Sequence, residues 1–536
     1  MKKLLLFLII LLASVLRLYH LDVNPPSLYW DEASLGYNAY SVLKSGKDEH
    51  GESLPLARFI AFGDYKPPGY IYTAVPSIAL LGISKLAVRL PSALAGIFMV
   101  FFTYLLVNEL FQVKKLALAS AFIMAVSPWS LHLSRVAFEA NLAAFYNLAG
   151  IYFFLKSRRL SWSILISIIF FLASFYTFNA NRIIAPLLIF SLTLLYHRRV
   201  ITNIKWYLMG IILAVIILLP SVGFLTSRES KIRLQEVSIF NNLQPLILTN
   251  KRIALDGNTL FAKLIHNRRI VYAKDYLKHL TDNFSLRYLF THGDVNPRLA
   301  LPGMGQLYFW ELPFFISGVL YLILYGKKNA SLIFSWMIIA VVPAGFAKET
   351  PHALRTVSIL PTYQIIIALG LYQSIIWLKN KLTNRTFNFL LFVICYLLFV
   401  NFLYYLHLYH IHFPLNYSGE WQFGTREMVN YVLAREKFYD RIYVTPLLGR
   451  PYIFFAFYKP YLPDEFQFQK IAVRDNLGFW DVVSLGKIRF TLNNISVSSG
   501  KILLVKNDRS IPAGFRMLKV INNLAGDPVF YLSDNL

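Results

Sequence analysis

Apolar runs long enough to cross a bilayer recur along this chain, and no other feature of the sequence constrains its fold so strongly. The first follows Met1-Lys2-Lys3 and continues to Tyr19. Later ones cover 87–110, 115–129, 141–155, 162–178, 183–196, 206–224, 307–325, 330–346, 357–377 and 387–407. Together they predict about eleven membrane spans. Composition agrees, since 56% of the 536 residues are hydrophobic and only 15% are charged, against about a quarter charged in a soluble domain. No small-x-small cleavage site follows the first run, so it reads as an uncleaved span that starts in the cytoplasm rather than as a signal peptide.

The net charge of +25 would suggest nucleic acid on a soluble protein. Here the basic residues stand between apolar runs or in one long loop, so they report topology and contact with anionic lipid instead. The clusters are Lys114-Lys115, Lys156 with Arg158-Arg159, His197-Arg198-Arg199 with Lys205, Lys327-Lys328, and Lys379, Lys381 and Arg385. They settle how residues 67–84 are read. If that apolar stretch spans, all five clusters land outside; if it lies flat on the outer surface, all five land inside, as the positive-inside rule requires. Pro67, Pro68 and Pro76 also disfavour a regular spanning helix. The outer segments are then 20–86, about 130–140, 179–182, 225–306, 347–356 and everything after about 408.

The tail is less apolar and carries β-like runs at Arg441–Thr445, Lys501–Val505 and Pro528–Leu532. The expected fold is mostly α: a polytopic membrane domain over 1–410, interfacial helices in its first outer loop, and a small extracytoplasmic α/β domain over 411–536. The single cysteine, Cys395, excludes an intrachain disulfide and any multi-cysteine metal site. No HExxH, Walker A loop or GxGxxG after a strand is present, so zinc proteolysis, ATP-driven transport and dinucleotide chemistry lack support.

The first outer loop is locally acidic in a basic protein. Its Leu28-Tyr29-Trp30-Asp31-Glu32-Ala33 sets two carboxylates beside large aromatics at the membrane surface. Sugar transfer to a hydroxyl or amine needs a base of this kind. Asp31 and Glu32 equally suit the capping of a helix over Ala33–Leu43. The loop's other end, Gly63-Asp64-Tyr65-Lys66-Pro67-Pro68-Gly69, places Lys66 where it can hold a lipid-linked phosphate or simply snorkel to the interface.

Residues 225–306 are basic, with twelve Lys/Arg and six Asp/Glu. Near their end, His292, Asp294 and Arg298 are candidates to grip a phosphate or sugar, or to hold a polar turn. In 347–356, His352 and Arg355 share a face if a helix begins there, and Arg355 suits a bidentate phosphate contact or a lipid-headgroup anchor. His132, Arg135 and Glu139 form a similar cluster in the second outer segment, and Arg182 stands in the third.

Taken in order, the first span, Trp30-Asp31-Glu32-Ala33, Gly63-Asp64-Tyr65-Lys66-Pro67-Pro68 and Ala87-Val88-Arg89-Leu90-Pro91-Ser92-Ala93 resemble the GT-C glycosyltransferases. The resemblance is to the family of the dolichyl-phosphate-mannose protein mannosyltransferases and the lipid A aminoarabinose transferase. It covers roughly 1–410 and is densest in the first 110 residues. It implies a polyprenyl-phosphate sugar as donor and transfer on the extracytoplasmic face of the cell membrane; a single displacement with one base would invert configuration, and the acceptor is left open among protein, lipid and glycan. It maps the catalytic carboxylate onto Asp31 or Glu32 and the donor phosphate onto Lys66, with Arg355, His352 and Arg298 as further phosphate candidates. Trp30, Asp64, Tyr65, His292 and Asp294 are left as candidate acceptor or sugar contacts. No cofactor is expected; a divalent ion, if used, would draw on Asp31, Asp48 and Glu49. The rival from another class is a flippase or transporter of lipid-linked glycans, which calls for polar residues at mid-membrane. Most charges here lie at span ends or in loops instead.

Overall fold

The structure is a computed structural model that describes residues 2–475, 478–493, 495 and 500–536. Each of the apolar runs is helical. Lys85–Phe111, Ile204–Thr226, Lys327–Gly345 and the continuous stretch Asn384–Trp421 are long and apolar enough to cross a bilayer unaided. Two bent pairs, Lys114–Val126 with Pro128–Ser134 and Ala353–Ile359 with Thr362–Lys381, bring the number among the described residues to six if each pair is one span. Shorter apolar helices include Ser163–Phe175 and Asn181–Leu195. These are the helices of a multi-pass membrane protein. The chain divides into two compact units. One comprises Met1–Ala13, Gly96–Leu133 and Ala140–Phe402; the other comprises Ser14–Ala95, Ser134–Glu139 and Leu403–Leu536.

The first unit holds most of the apolar helices. A close crossing joins helices Leu312–Tyr325 and Thr362–Lys381. Gly318 lies against the Ile366 carbonyl and Gly370 against the Phe314 carbonyl, with no room for a Cβ at either place. Small residues at a helix crossing let two backbones approach in lipid, where packing rather than water exclusion drives association. The large loop 225–306 is largely helical here, with helices Arg228–Val237, Gln244–Leu255, Leu260–Ile265 and Arg268–Asp282.

The second unit gathers the first outer loop and the tail. After the first helix, Lys2–Leu18, the loop forms helix Trp30–Ser45 and a hairpin of β1 (Phe59–Ala61) and β2 (Asp64–Lys66). The hairpin pairs Phe59 with Lys66 and Ala61 with Asp64. Helix Gly69–Leu81 follows. At 13 residues it is about 20 Å long, too short to cross a hydrocarbon core of about 30 Å by itself. It packs on helix Trp30–Ser45 and is pinned to the start of Lys85–Phe111, where Tyr70 Oη donates to the Val88 carbonyl (2.9 Å) and Ser77 Oγ to the Ala87 carbonyl (2.6 Å).

The tail builds a seven-stranded mixed sheet from β3 (Arg441–Val444), β4 (Lys470–Arg474), β5 (Trp480–Leu485), β6 (Ile488–Arg489), β7 (Ile502–Lys506), β8 (Arg516–Asn522) and β9 (Pro528–Asp534). Their order is β4-β5-β6-β3-β7-β9-β8, with β3 parallel to β6 and β7 and the remaining pairs antiparallel. β3, β7 and β9 fall on the three runs expected from sequence. β7, inside the sheet between β3 and β9, is buried over Ile502–Val505, as a strand covered on both faces must be. Gly370→Leu should lower stability by about 1–3 kcal/mol, read as thermal unfolding in detergent. Gly223→Leu, where a Cβ meets open space, should cost less.

Candidate active site

A helix that opens on two adjacent carboxylates points them in different directions, and here they have different partners. Asp31 and Glu32 occupy the first turn of Trp30–Ser45, after an N-cap Tyr29 whose side chain makes no capping bond. Neither carboxylate is the N-cap; both stand in the first turn, where the helix dipole favours them, and both also make ion pairs.

Glu32 is fully buried against fully buried Arg89. Arg89 Nε meets Glu32 Oε1 at 2.8 Å and Nη2 meets Oε2 at 3.0 Å, a bidentate fork. The Ala137 N–H adds a third bond to Oε1 at 3.1 Å. The remaining Arg89 N–H groups donate to the carbonyls of Leu21 (3.0 Å), Pro25 (2.8 Å) and Ser27 (2.6 Å). All five guanidinium donors are thus used. Arg135 does the same for the preceding residues, donating to the carbonyls of Leu16, Tyr19, His20 and Asn24 and to Tyr409 Oη. The last carbonyls of a helix have no intrahelical partner, and Arg135 supplies one for the first helix.

Asp31 faces Lys66. Lys66 Nζ lies 2.8 Å from Asp31 Oδ1 and 3.2 Å from Glu139 Oε1. The three side chains are 29%, 7% and 11% exposed for Asp31, Lys66 and Glu139, so Asp31 is the one with an open edge. Burial alone would lower the Lys66 ammonium, but the carboxylates of Asp31, Glu139 and Asp64 outweigh it and hold the group above its ordinary range. It is a cation at any working pH. Burial pushes the Glu139 carboxyl up, against the pull of Lys66. Lys66 holds its place because β2 ends on it, directly before Pro67 and Pro68.

Six residues expected from sequence thus gather in this unit: Trp30, Asp31, Glu32, Asp64, Tyr65 and Lys66. Trp30 donates its N–H to Gln422 Oε1 at 2.8 Å. Asp64 Oδ1 accepts the Tyr65 N–H at 2.8 Å. Tyr65 is buried, with its ring 6.1 Å from that of Phe479. The other five belong to the first unit. There Asp294 accepts the N–H groups of Ala353 (2.7 Å) and Asn296 (2.9 Å), which fixes the turn carrying His352 and Arg355. His352 Nδ1 accepts the Arg355 N–H at 3.4 Å. Burial, and after it the Arg355 charge, push this imidazole down to about 3. His352 therefore offers an anion a neutral N–H and no charge. Arg355 Nη1 donates to the Glu349 carbonyl at 3.2 Å, and Arg298 Nε to Asn296 Oδ1 at 3.4 Å. His292 is exposed beside Thr291. Asp31, Asp48 and Glu49 do not converge as ligands: among the described residues no three His, Cys, Asp or Glu are grouped to hold a metal.

Sequence reasoning saw Glu139 only within a cluster in the second outer segment and gave Arg89 and Gln422 no role. Glu139 follows Lys66 by 73 residues and Gln422 follows Trp30 by 392, so no local spacing reveals either.

Residues 65–224 match the model of the dolichyl-phosphate-mannose-protein mannosyltransferase family. The fold is that of ArnT from Cupriavidus metallidurans. Against its structure bound to undecaprenyl phosphate the identity is 12% and the TM-score 0.53, over 99% of this chain and 98% of that one. The apo structure of the same protein gives 12% and 0.53, over 99% and 97%. The archaeal oligosaccharyltransferase AglB from Archaeoglobus fulgidus is a looser likeness, with 13% identity and a TM-score of 0.45 over 85% of this chain and 63% of that one. No curated protein sequence matches. The resemblance to the GT-C superfamily, of the mannosyltransferase and ArnT kind, is borne out.

Glu32→Ala or Arg89→Ala leaves a buried charge without its partner and should cost about 3–5 kcal/mol, whereas Asp31→Asn, at a partly open position, should leave thermal unfolding near that of the parent.

Proposed function

We propose that this GT-C superfamily glycosyltransferase moves a sugar from a polyprenyl-phosphate donor to an extracytoplasmic acceptor, with Asp31 as the general base. The observation that carries the reading is the Asp31–Lys66–Glu139 cluster: one cation held between two carboxylates, of which Asp31 alone has an open edge. The matched family is described by a dolichyl-phosphate sugar substrate, and the ArnT structure holds undecaprenyl phosphate. Both support a polyprenyl phosphate as the carrier here.

A lysine ammonium has three donors. Two face carboxylates, which leaves one for a phosphate oxygen. The lysine charge is already outweighed within the cluster, so an incoming phosphate competes with Asp31 for it. Donor binding then draws Lys66 toward the phosphate and releases the Asp31 carboxylate for the acceptor. Asp31 removes the proton from the acceptor hydroxyl or amine. The acceptor atom bonds to the anomeric carbon as the bond from that carbon to the phosphate oxygen breaks. Polyprenyl phosphate leaves with both bonding electrons, its charge met by Lys66. A single displacement inverts the anomeric configuration. Glu32, consumed by Arg89, sets the helix and stays out of the proton transfer. Arg355 is a further candidate for anion contact, on its own segment.

The active site and the C-terminal domain are assigned to the extracytoplasmic face and the N-terminus to the cytoplasm. In a Cys395→Ser background, Asn258→Cys should react with an impermeant maleimide added to intact cells and Thr383→Cys only after lysis. The reverse pattern inverts the topology.

The reaction is tested on purified protein with undecaprenyl-phosphate mannose, undecaprenyl-phosphate glucose or undecaprenyl-phosphate aminoarabinose as donor and membranes of the source cells as acceptor. Asp31→Asn should lose about 100-fold or more of the turnover; full activity in this variant sinks the assignment. Lys66→Ala should raise donor KM more than Glu52→Ala does, and equal effects remove Lys66 from the phosphate site.

A further inference from the structure

The first turn of a helix leaves backbone N–H groups without intrahelical partners, and what satisfies them fixes the residues there. Tyr29 makes no side-chain capping bond to helix Trp30–Ser45. The Trp30 N–H is instead satisfied by Gln422 Oε1 of the tail, at 2.8 Å. Gln422 is buried, takes the left-handed conformation (φ 51°), and donates its Nε2 to the Leu448 carbonyl. The next residue, Gly449, has φ +124°, and a Cβ there would run into the Trp30 indole and the Gln422 amide. Only glycine suits both the dihedral and the contact.

Arg450 then turns to the hairpin. Its guanidinium lies 5.9 Å from the Phe62 ring centre, and its Nη2 would be 3.7 Å from a Cβ on Gly63. It is aimed by a 2.8 Å bond from Nη1 to Asp481 Oδ2 on β5. One short stretch of the tail domain, 449–450, thus lies against residues of both segments that carry the ion pair, the Trp30 indole on one and Phe62 and Gly63 on the other. One is the turn that presents Asp31, and the other is the hairpin that ends in Lys66. The 2.8 Å separation of Asp31 Oδ1 and Lys66 Nζ requires that these two stay in register.

We propose that Gln422, Gly449 and Arg450 are positioning residues for the transfer reaction, and that the C-terminal domain serves catalysis by holding the Asp31 helix and the Lys66 hairpin in mutual register. The proposal rests on Asp31 being the base. It separates from a merely structural role because it affects turnover more than donor capture: a reactive carboxylate displaced by about 1 Å costs on the order of 100-fold in rate, while a shifted Lys66 keeps its charge for the donor phosphate.

The test uses the full-length protein in detergent or nanodiscs, with undecaprenyl-phosphate mannose, glucose and aminoarabinose as donors. Gly449→Ala and Arg450→Gln should lower kcat at least tenfold and raise donor KM by less than Lys66→Ala does, and Arg450→Lys should recover most of the loss. Arg441→Gln, an exposed arginine of the same sheet, should match the parent. In parallel, hydrogen exchange of residues 28–36 and 62–66 should rise together in Gly449→Ala and Arg450→Gln, with Arg441→Gln unchanged; this reading needs no substrate and holds even where turnover is too slow to measure. Parental kcat in both loop variants while Asp31→Asn is inactive overturns this proposal and leaves the base assignment standing. Unchanged exchange at 28–36 and 62–66 overturns it likewise. Full activity in Asp31→Asn overturns the base assignment and this proposal with it.

Discussion

The buried pair of Glu32 and Arg89 is the interaction on which the second unit depends. A guanidinium removed from water is tolerated only where its donors and its charge are met, and Arg89 meets one carboxylate and three carbonyls. Those carbonyls belong to Leu21, Pro25 and Ser27, the irregular stretch between the first helix and Trp30. Without a regular hydrogen-bond ladder of its own, that stretch takes its shape from Arg89 on one side and Arg135 on the other. The position of the Asp31 helix relative to the start of Lys85–Phe111 is therefore set by charge rather than by apolar packing alone. The Glu32–Ala137 bond carries the same clamp to the residues just before Glu139.

From this clamp follows a division of labour between two neighbouring carboxylates. Glu32 turns inward and is saturated. Asp31, one residue earlier, faces Lys66 and keeps an open edge. A single rigid helix turn thus couples a structural ion pair to a reactive one, and rigid support of this kind is what a catalytic geometry needs. Lys66 gains its own fixity from the hairpin and from Pro67 and Pro68, which restrict the chain on its far side.

Much of the membrane architecture was legible because hydropathy is a local signal. Each apolar run is helical, and residues 67–84, read from sequence as lying flat, hold the short helix Gly69–Leu81. The strands β3, β7 and β9 were legible as buried β-branched or aromatic runs. β8 was not, since Arg516–Asn522 alternates weakly and lies at the sheet edge, largely open to solvent. β6, at two residues, carries no pattern to find. In the site, Asp31 and Lys66 were singled out by residue type and placement in one loop. The partner of Lys66, Glu139, was hidden because it begins a helix, where an acidic residue is expected for the helix dipole alone.

The sequence by itself determined a multi-pass membrane protein, an acidic first loop in a basic chain, and a terminal domain with strands, because these follow from the composition and period of short windows. Only the tertiary structure decided which of two adjacent carboxylates is reserved for Arg89 and which stands open beside Lys66. It also decided that Gln422 and Gly449, some four hundred residues away in the chain, support the turn that carries both. The physical reason is that a carboxylate's partners are set by where distant backbone brings a guanidinium, an ammonium or an amide within about 3 Å, and no local pattern of residues encodes that distance.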